Sequence, residues 1–248
     1  MFLIGGGWDS GSYHLTYGPF IDASTKNTKR KIVLILALGD DDEVKEFEDH
    51  YRAPFEYLSL TRHEIETVIL SKDQPLSIDA LDSLDPTGFF VCGGLTPLYQ
   101  ELLCQNTEWL EYLAENQIPY GGFSAGSAVT SQRAVVGGWM RQAGETDVPI
   151  MDEDFGEELV RLTVRDGLGL VPHSIDVHCG QWGTIIRLIN ALDGNLIKSG
   201  LGIDENTMIQ VSGGSATVRG VGQVYTIDHD ETDGISVKIF RHGDTINL

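Results

Sequence analysis

The sequence predicts an α/β fold: a single three-layer domain over residues 1–248, with a mainly parallel sheet, flanking helices and a β-rich C-terminal end. Three observations carry that prediction. Short apolar runs rich in branched residues recur through the first half, as buried parallel strands do. Between them lie stretches whose apolar residues have helical spacing, and alternation of strands with helices implies crossover connections. From Ser199 onward the texture turns to short β runs separated by glycines.

Taken in order, Phe2–Ile4, Ile32–Leu38, Thr67–Leu70, Gly88–Val91 and Ile118–Phe123 read as strands. After the second of them, Val44, Phe47, Tyr51 and Phe55 are spaced to line one helix face, with Glu43, Lys45, Glu46, Glu48 and Asp49 on the wet side. Beyond the Gly93-Gly94 turn, Thr96 suits an N-cap and Pro97 suits the first helical position. The segment Thr184–Leu192 carries Ile185, Ile186, Leu188, Ile189 and Leu192 with only Arg187 and Asn190 between, and Gly194 can end it, so a largely buried helix is expected. The C-terminal runs are Thr207–Val211, Ala216–Arg219, Val221–Ile227 and Ile235–Phe240. Residues Val135–Asp166 are polar and acidic and contain Gly137-Gly138; a long functional loop and a solvated surface helix both fit them.

Composition narrows the function. A chain of 248 residues, 41% hydrophobic and 22% charged, has the apolar content of an ordinary globular protein. Its 17 Lys and Arg against 37 Asp and Glu leave a net charge of −20, the wrong sign for neutralising phosphates, so no nucleic acid partner is expected. Cys92, Cys104 and Cys179 show no paired spacing, which predicts reduced thiols rather than a disulfide framework. Met1–Ile4 is too short for a signal peptide, and no stretch reaches the ~18 apolar residues of a membrane span. No membrane partner and a cytoplasmic location are the corresponding expectations.

Chemistry concentrates at Gly122-Phe123-Ser124-Ala125-Gly126, which has the form G-x-S-x-G. Small residues there permit a sharp strand-to-helix turn that presents Ser124 at a helix N-terminus, where free N–H groups can stabilise an oxyanion. The apolar run before it and the small-residue helix start after it supply the setting that such a turn needs. A nucleophilic serine requires a base. Of seven histidines, His50 and His63 sit in charged, surface-like segments, whereas His178 ends the strand-like run Ser174–Val177, at the strand end where open α/β sheets place their sites. Asp204 and Glu205, at another strand end, and Asp176 are the candidate carboxylates to orient the imidazole.

Other motifs read as structure. Gly5-Gly6-Gly7 lacks both G-x-G-x-x-G and a Lys-Ser/Thr ending, so it is expected to be a turn, one that borders the cleft in this fold. His173, Asp176, His178 and Cys179 match no zinc spacing, and no metal is expected. Cys179 is read as a small buried hydrophobe.

The chain resembles the peptidase E and cyanophycinase family of serine peptidases, whose fold is similar to class I glutamine amidotransferases. Four segments carry the resemblance: Val91-Cys92-Gly93-Gly94-Leu95-Thr96, the elbow Gly122–Ser127, Gly167-Leu168-Gly169-Leu170 with Asp176-Val177-His178, and Gly202-Ile203-Asp204-Glu205-Asn206. The resemblance implies Ser124 as nucleophile, His178 as general base and then acid, and Glu205 as the carboxylate partner. It implies an oxyanion hole from the N–H of Ala125 and one from the Gly93-Gly94 turn, assigned to Gly94. Members have also been assigned an acid between the serine and the histidine, which keeps Asp147 and Asp152 open. Thr96, Arg133 and Arg141 are the candidate substrate-binding residues, the arginines for a substrate carboxylate. Leu95 and Cys179 depart from the family pattern, and Arg187 comes later after His178 than the arginines of cyanophycin-cleaving members.

The function so implied is a cofactor-independent serine-type peptidase that hydrolyses short peptides through an acyl-enzyme on Ser124, with dipeptides, N-terminal aspartyl bonds and isopeptide bonds in view. A small peptide is the expected partner, and a homodimer is compatible with the reading. Two alternatives stand beside it: a cyanophycinase-type exopeptidase, and a non-catalytic binding or regulatory protein on the same scaffold. A glutamine amidotransferase would carry cysteine where this chain has Ser124.

Overall fold

Continuous apolar strands, rather than alternating ones, require cover on both faces of a sheet, and the structure supplies it. The structure is a computed structural model that describes residues 1–25, 29–37, 41–232 and 234–248, with side chains 41–46 outside the description. The first five strands are β1 (Phe2–Ile4), β2 (Ile32–Ala37), β3 (Ile65–Leu70), β4 (Gly88–Val91) and β5 (Tyr120–Phe123). Leu38 and the side chain of Val44, both used in the sequence reading, lie outside the described residues. Along β2, Ile32, Leu34 and Leu36 join Phe20, Phe55 and Phe90 on one face. Val33, Ile35 and Ala37 join Tyr99, Leu103 and Trp109 on the other. Each such side chain taken wholly out of water contributes roughly 1.5–3 kcal/mol before chain entropy is counted. Helices Gly18–Ala23 and Asp41–Tyr57 cover the first face, Thr96–Cys104 and Glu108–Glu115 the second, which makes the three layers.

The middle of the chain differs from both expectations for it. Residues 133–166 form neither a long loop nor a helix but strands β6 (Arg133–Gly137), β7 (Met140–Ala143), β8 (Thr146–Pro149) and β9 (Thr163–Asp166), with a 3-10 turn at Glu153–Phe155. β6 pairs with β9 and β7 with β8, both antiparallel. Pairing hides the backbone polar groups while the charged side chains stay wet, so an acidic composition concealed the strands.

The remaining strands are β10 (Ser174–Val177), β11 (Gly200–Ile203), β12 (Thr207–Ser212), β13 (Ser215–Gly220), β14 (Val224–His229), β15 (Ile235–Phe240) and β16 (Thr245–Asn247). Among the described residues the large sheet has the order β16-β13-β12-β1-β5-β4-β2-β3. It is parallel from β1 to β3 and antiparallel from β1 outward through β12, β13 and β16, hence a mixed sheet. A second sheet has the order β10-β11-β14-β15. The predicted buried helix runs Ile185–Asp193 with Gly194 at its C-cap, and packs Leu188, Ala191 and Leu192 on Val135, Ile197 and Ile227. Among the described residues no helix is long and apolar enough to cross a membrane.

Topology brings five strand ends together. β1, β4 and β5 are neighbouring parallel strands, so Gly5, Cys92 and Ser124 all follow carboxyl ends on one edge. β10 and β11 are parallel too, which sets His178 and Asp204 side by side. The amide of His178 donates to the Gly5 carbonyl at 3.0 Å and that of Asn206 to Gly6 at 2.7 Å, tying the second sheet to the end of the first.

Candidate active site

Ser124 leaves β5 with φ 52° and ψ −112°, a conformation unusual for a residue with a side chain, and caps the short helix Ala125–Ala128. The elbow is possible because its glycines are bare: a Cβ on Gly126 would stand 2.2 Å from the Val91 carbonyl oxygen of the next strand. The turn and the neighbouring strand thus press the serine outward, to 7% exposure at the base of a cleft.

The Ser124 Oγ lies 2.9 Å from His178 Nε2, and His178 Nδ1 lies 2.8 Å from Glu205 Oε1. With Nδ1–H donated to the carboxylate, Nε2 is left to accept the serine proton. His178 itself is left-handed, at φ 56°, between β10 and the turn Cys179–Trp182. Its ring is caged: Trp182 stacks on it with centroids 3.6 Å apart, and a Cβ on Gly6 would stand 2.0 Å from its Cε1. The Gly5–Gly7 turn therefore borders the cleft, its middle glycine shaped to the imidazole. The amide of Glu205 donates to the Gln181 side chain at 2.9 Å, which holds the carboxylate's own backbone in place.

The other candidate acids have different partners. Asp204 accepts from the amides of Gly180 at 2.7 Å and Gln223 at 2.9 Å and faces the Tyr225 hydroxyl, whose pKa burial pushes up to about 12. Asp176 is 1% exposed and holds Arg187 through two bonds of 2.8 and 2.7 Å. Asp147 pairs with Arg161, and Asp152 caps the 3-10 turn Glu153–Phe155. Glu205 alone of the five carboxylates considered meets His178.

The backbone amides of the Gly93-Gly94 turn and of the residue after Ser124 differ in their partners. Gly93 is committed, since its amide donates to the Tyr51 hydroxyl at 2.9 Å. The amides of Gly94, in the cleft lining, and of Ala125, directly after Ser124, have no acceptor among the described residues.

Three expected substrate-binding residues are placed elsewhere. Arg133 is paired with Asp166 and Arg141 with Asp193, both at the surface and neither in the cleft lining. Pairing of β6 with β9 sets Arg133 directly opposite Asp166. Thr96 is the first residue of its helix rather than the cap, which is Leu95, and it is buried beneath the carboxylate of Glu157. Burial pushes the Cys179 thiol well above its ordinary range, and its Sγ faces the Asp176 carbonyl and Thr184, as a buried small residue.

The cleft has a volume of about 750 Å³. Trp8, His50, Tyr51 and Phe123 line one side, and Phe155, Trp182, Glu157 and Glu158 the other. Trp8 meets His50 edge-on at 4.0 Å. His50, read as surface, is exposed and also lines the cleft, one helical turn after Phe47, which lines it too. Nothing in the sequence marked Glu157.

Residues 1–219 match the model of peptidase family S51. The chain belongs to that family. Relatives of the chain include the cyanophycinases of Synechococcus elongatus and Thermosynechococcus vestitus (strain NIES-2133 / IAM M-273 / BP-1). Each is 32% identical over 148 residues, a match that covers 57% of this chain and 42% of the cyanophycinase. The chain therefore spans less than half the length of these curated relatives. Among solved structures, a peptidase from an acI-B1 Actinobacterium superposes with a TM-score of 0.69 at 16% identity, over 100% of this chain and 96% of that one. A protein from Listeria monocytogenes EGD-e, named as a peptidase E, gives 0.55 at 19% identity, over 89% and 98%. These two likenesses establish the shared fold.

Proposed function

We propose that this family S51 chain is a serine-type peptidase that hydrolyses short peptides through an acyl-enzyme on Ser124. The observation that carries the reading is the unbroken relay Ser124–His178–Glu205, at 2.9 and 2.8 Å. Ser124 Oγ attacks the scissile carbonyl while His178 Nε2 takes its proton, and Glu205 holds the imidazole in the required tautomer. The amides of Gly94 and Ala125 receive the oxyanion; losing one such donor costs roughly 2.7–4 kcal/mol of transition-state stabilisation. His178 then protonates the leaving amine and activates the water that releases the acyl group. A cleft of about 750 Å³ with the nucleophile at its base suits dipeptides and side-chain-linked isopeptides better than folded proteins.

The test combines fluorophosphonate labelling with a dipeptide and isopeptide library read by mass spectrometry. Labelling is expected at Ser124 and cleavage is expected to vanish in Ser124→Ala. His178→Ala should lose nearly as much, approaching the ~10⁶ seen when a triad acts as a unit. A protein that never labels at Ser124, with Ser124→Ala indistinguishable from the parent, would support a binding or regulatory role instead.

A further inference from the structure

One wall of the cleft is the short segment around the 3-10 turn Glu153–Phe155, and two anchors hold it. The first is Arg187, 3% exposed in its pair with Asp176, which donates Nη1 to the Phe155 carbonyl at 2.9 Å. The second is Glu157. Its Oε2 accepts the Thr96 amide at 2.9 Å and its Oε1 the Thr96 hydroxyl at 3.1 Å, at the first residue of the nine-residue helix Thr96–Cys104. Glu157 and Glu158 both sit at left-handed φ, 57° and 58°, a conformation that residues with side chains adopt sparingly. The backbone is bent to deliver this carboxylate.

The place it occupies has a definite electrostatic character. Free amides and the positive end of the peptide dipoles make a helix N-terminus attractive to a carboxylate. Here the turn that leads into that helix carries Gly94, a cleft residue two positions before Thr96. The Thr96 donors are buried and already satisfied by Glu157, so they offer nothing to a substrate carboxylate. Such a carboxylate also meets an acidic lining of Asp154, Glu157, Glu158 and Glu205, without Lys or Arg among the described lining residues. A second carboxylate desolvated against a fixed one is penalised heavily, and that penalty discriminates between substrates of equal shape.

Resting on the serine-peptidase reading, we propose that Glu157 is a specificity-determining residue that bars acidic groups from this side of the cleft, so that the substrates are peptides with neutral or cationic residues flanking the scissile bond. Glu157 acts by holding a fixed carboxylate in the lining of the cleft that also contains Ser124.

The test uses the full chain and peptide pairs that differ only as Asp against Asn or Glu against Gln on either side of the scissile bond. Each peptide is assayed for turnover and for protection of Ser124 from a fluorophosphonate. The parent is expected to favour the amide member at least tenfold in kcat/KM at one flanking position. Glu157→Gln keeps the shape and an acceptor for Thr96 but removes the charge, and should narrow that ratio at least tenfold; Glu157→Ala, which empties the place, should narrow it further. Ratios are unaffected by a uniform loss of activity. A parent that treats the pairs alike, or a Glu157→Gln enzyme that keeps the parental ratio, overturns the proposal. If Glu157→Gln fails to fold, Glu157→Ala carries the comparison, and a ratio equal to the parent's overturns the proposal. A parent whose Ser124 never labels overturns the peptidase reading itself and this proposal with it, an outcome distinct from labelled enzymes with equal ratios.

Discussion

The imidazole of His178 lies flat on the indole of Trp182, the ring centroids 3.6 Å apart and the planes 4° from parallel. Phe155 stacks on the same indole at 5.0 Å, so the candidate base is part of an aromatic pile that also fixes the cleft wall. An indole face attracts cations, and in the proposed mechanism it favours the imidazolium that forms as His178 takes the serine proton. Trp182→Leu is expected to lose about 0.5–2 kcal/mol of transition-state stabilisation, roughly 2- to 30-fold in kcat/KM. Trp182→Phe should keep most of it. Steady-state kinetics on the best library peptide measures both, and a Trp182→Leu enzyme with parental kcat/KM would remove the stack from the mechanism.

Two adjacent carboxylates should separate cleanly into activity and stability. Glu205 meets His178, whereas Asp204, 5% exposed, satisfies the amides of Gly180 and Gln223. Glu205→Gln is expected to lower kcat by up to roughly 10⁴, as mis-set tautomers do, with little change in melting temperature. Asp204→Ala leaves buried donors unsatisfied and should cost at least about 1–3 kcal/mol of stability. Urea denaturation and kinetics on the two variants side by side decide the matter, and an exchange of the two outcomes would reassign the roles.

The Arg187–Asp176 pair should behave as buried pairs do. Both side chains are nearly inaccessible, at 3% and 1% exposure, so either one left alone is an uncompensated charge. Arg187→Met is expected to destabilise by about 3–5 kcal/mol. Asp176→Leu added to it should recover part of that loss, because the double variant buries no charge. Denaturant midpoints give both values. An Arg187→Met protein as stable as the parent would show that the pair contributes nothing.

Acidification should weaken the fold through His173. Burial lowers its pKa below the ordinary value, against a smaller opposing pull from Asp228, and its Nδ1 is buried without a partner among the described residues. Below about pH 6.5 the unfolded chain binds a proton that the folded chain resists. Its contribution is therefore complete above that pH and is lost as the pH falls through the lowered folded value. Stability measured at pH 7.5 and 5.5 should drop less in His173→Gln than in the parent. Equal drops would exclude His173 as a source of the pH dependence.

The parts of the site that the sequence showed are those made by local backbone demands. Gly122 and Gly126 around Ser124 announce an elbow because the turn tolerates no side chain there, and a run such as Ser174–Val177 announces the strand end that carries His178. The carboxylate was less legible: Asp204 and Glu205 are neighbours in sequence, and only the direction in which each leaves the end of β11 sends one to the imidazole and the other to backbone amides. Arg133 and Arg141 follow the elbow in sequence but lie outside the cleft lining, because strand pairing sets Arg133 opposite Asp166 and Arg141 reaches Asp193 at the end of the helix Ile185–Asp193.

By itself the sequence determined an α/β chain and singled out Ser124 and His178 as the candidate nucleophile and base, since apolar periodicity and glycine placement are local signals that survive without tertiary context; the family came from the resemblance its motifs carry. Tertiary structure decided what surrounds Ser124: which acid meets His178, that Trp182 covers the imidazole, that His50 faces the cleft, and that Glu157 reaches Thr96 across 61 residues of chain. Those contacts depend on where separate strand ends converge and on which way each side chain points when they do, and neither is encoded at any one position.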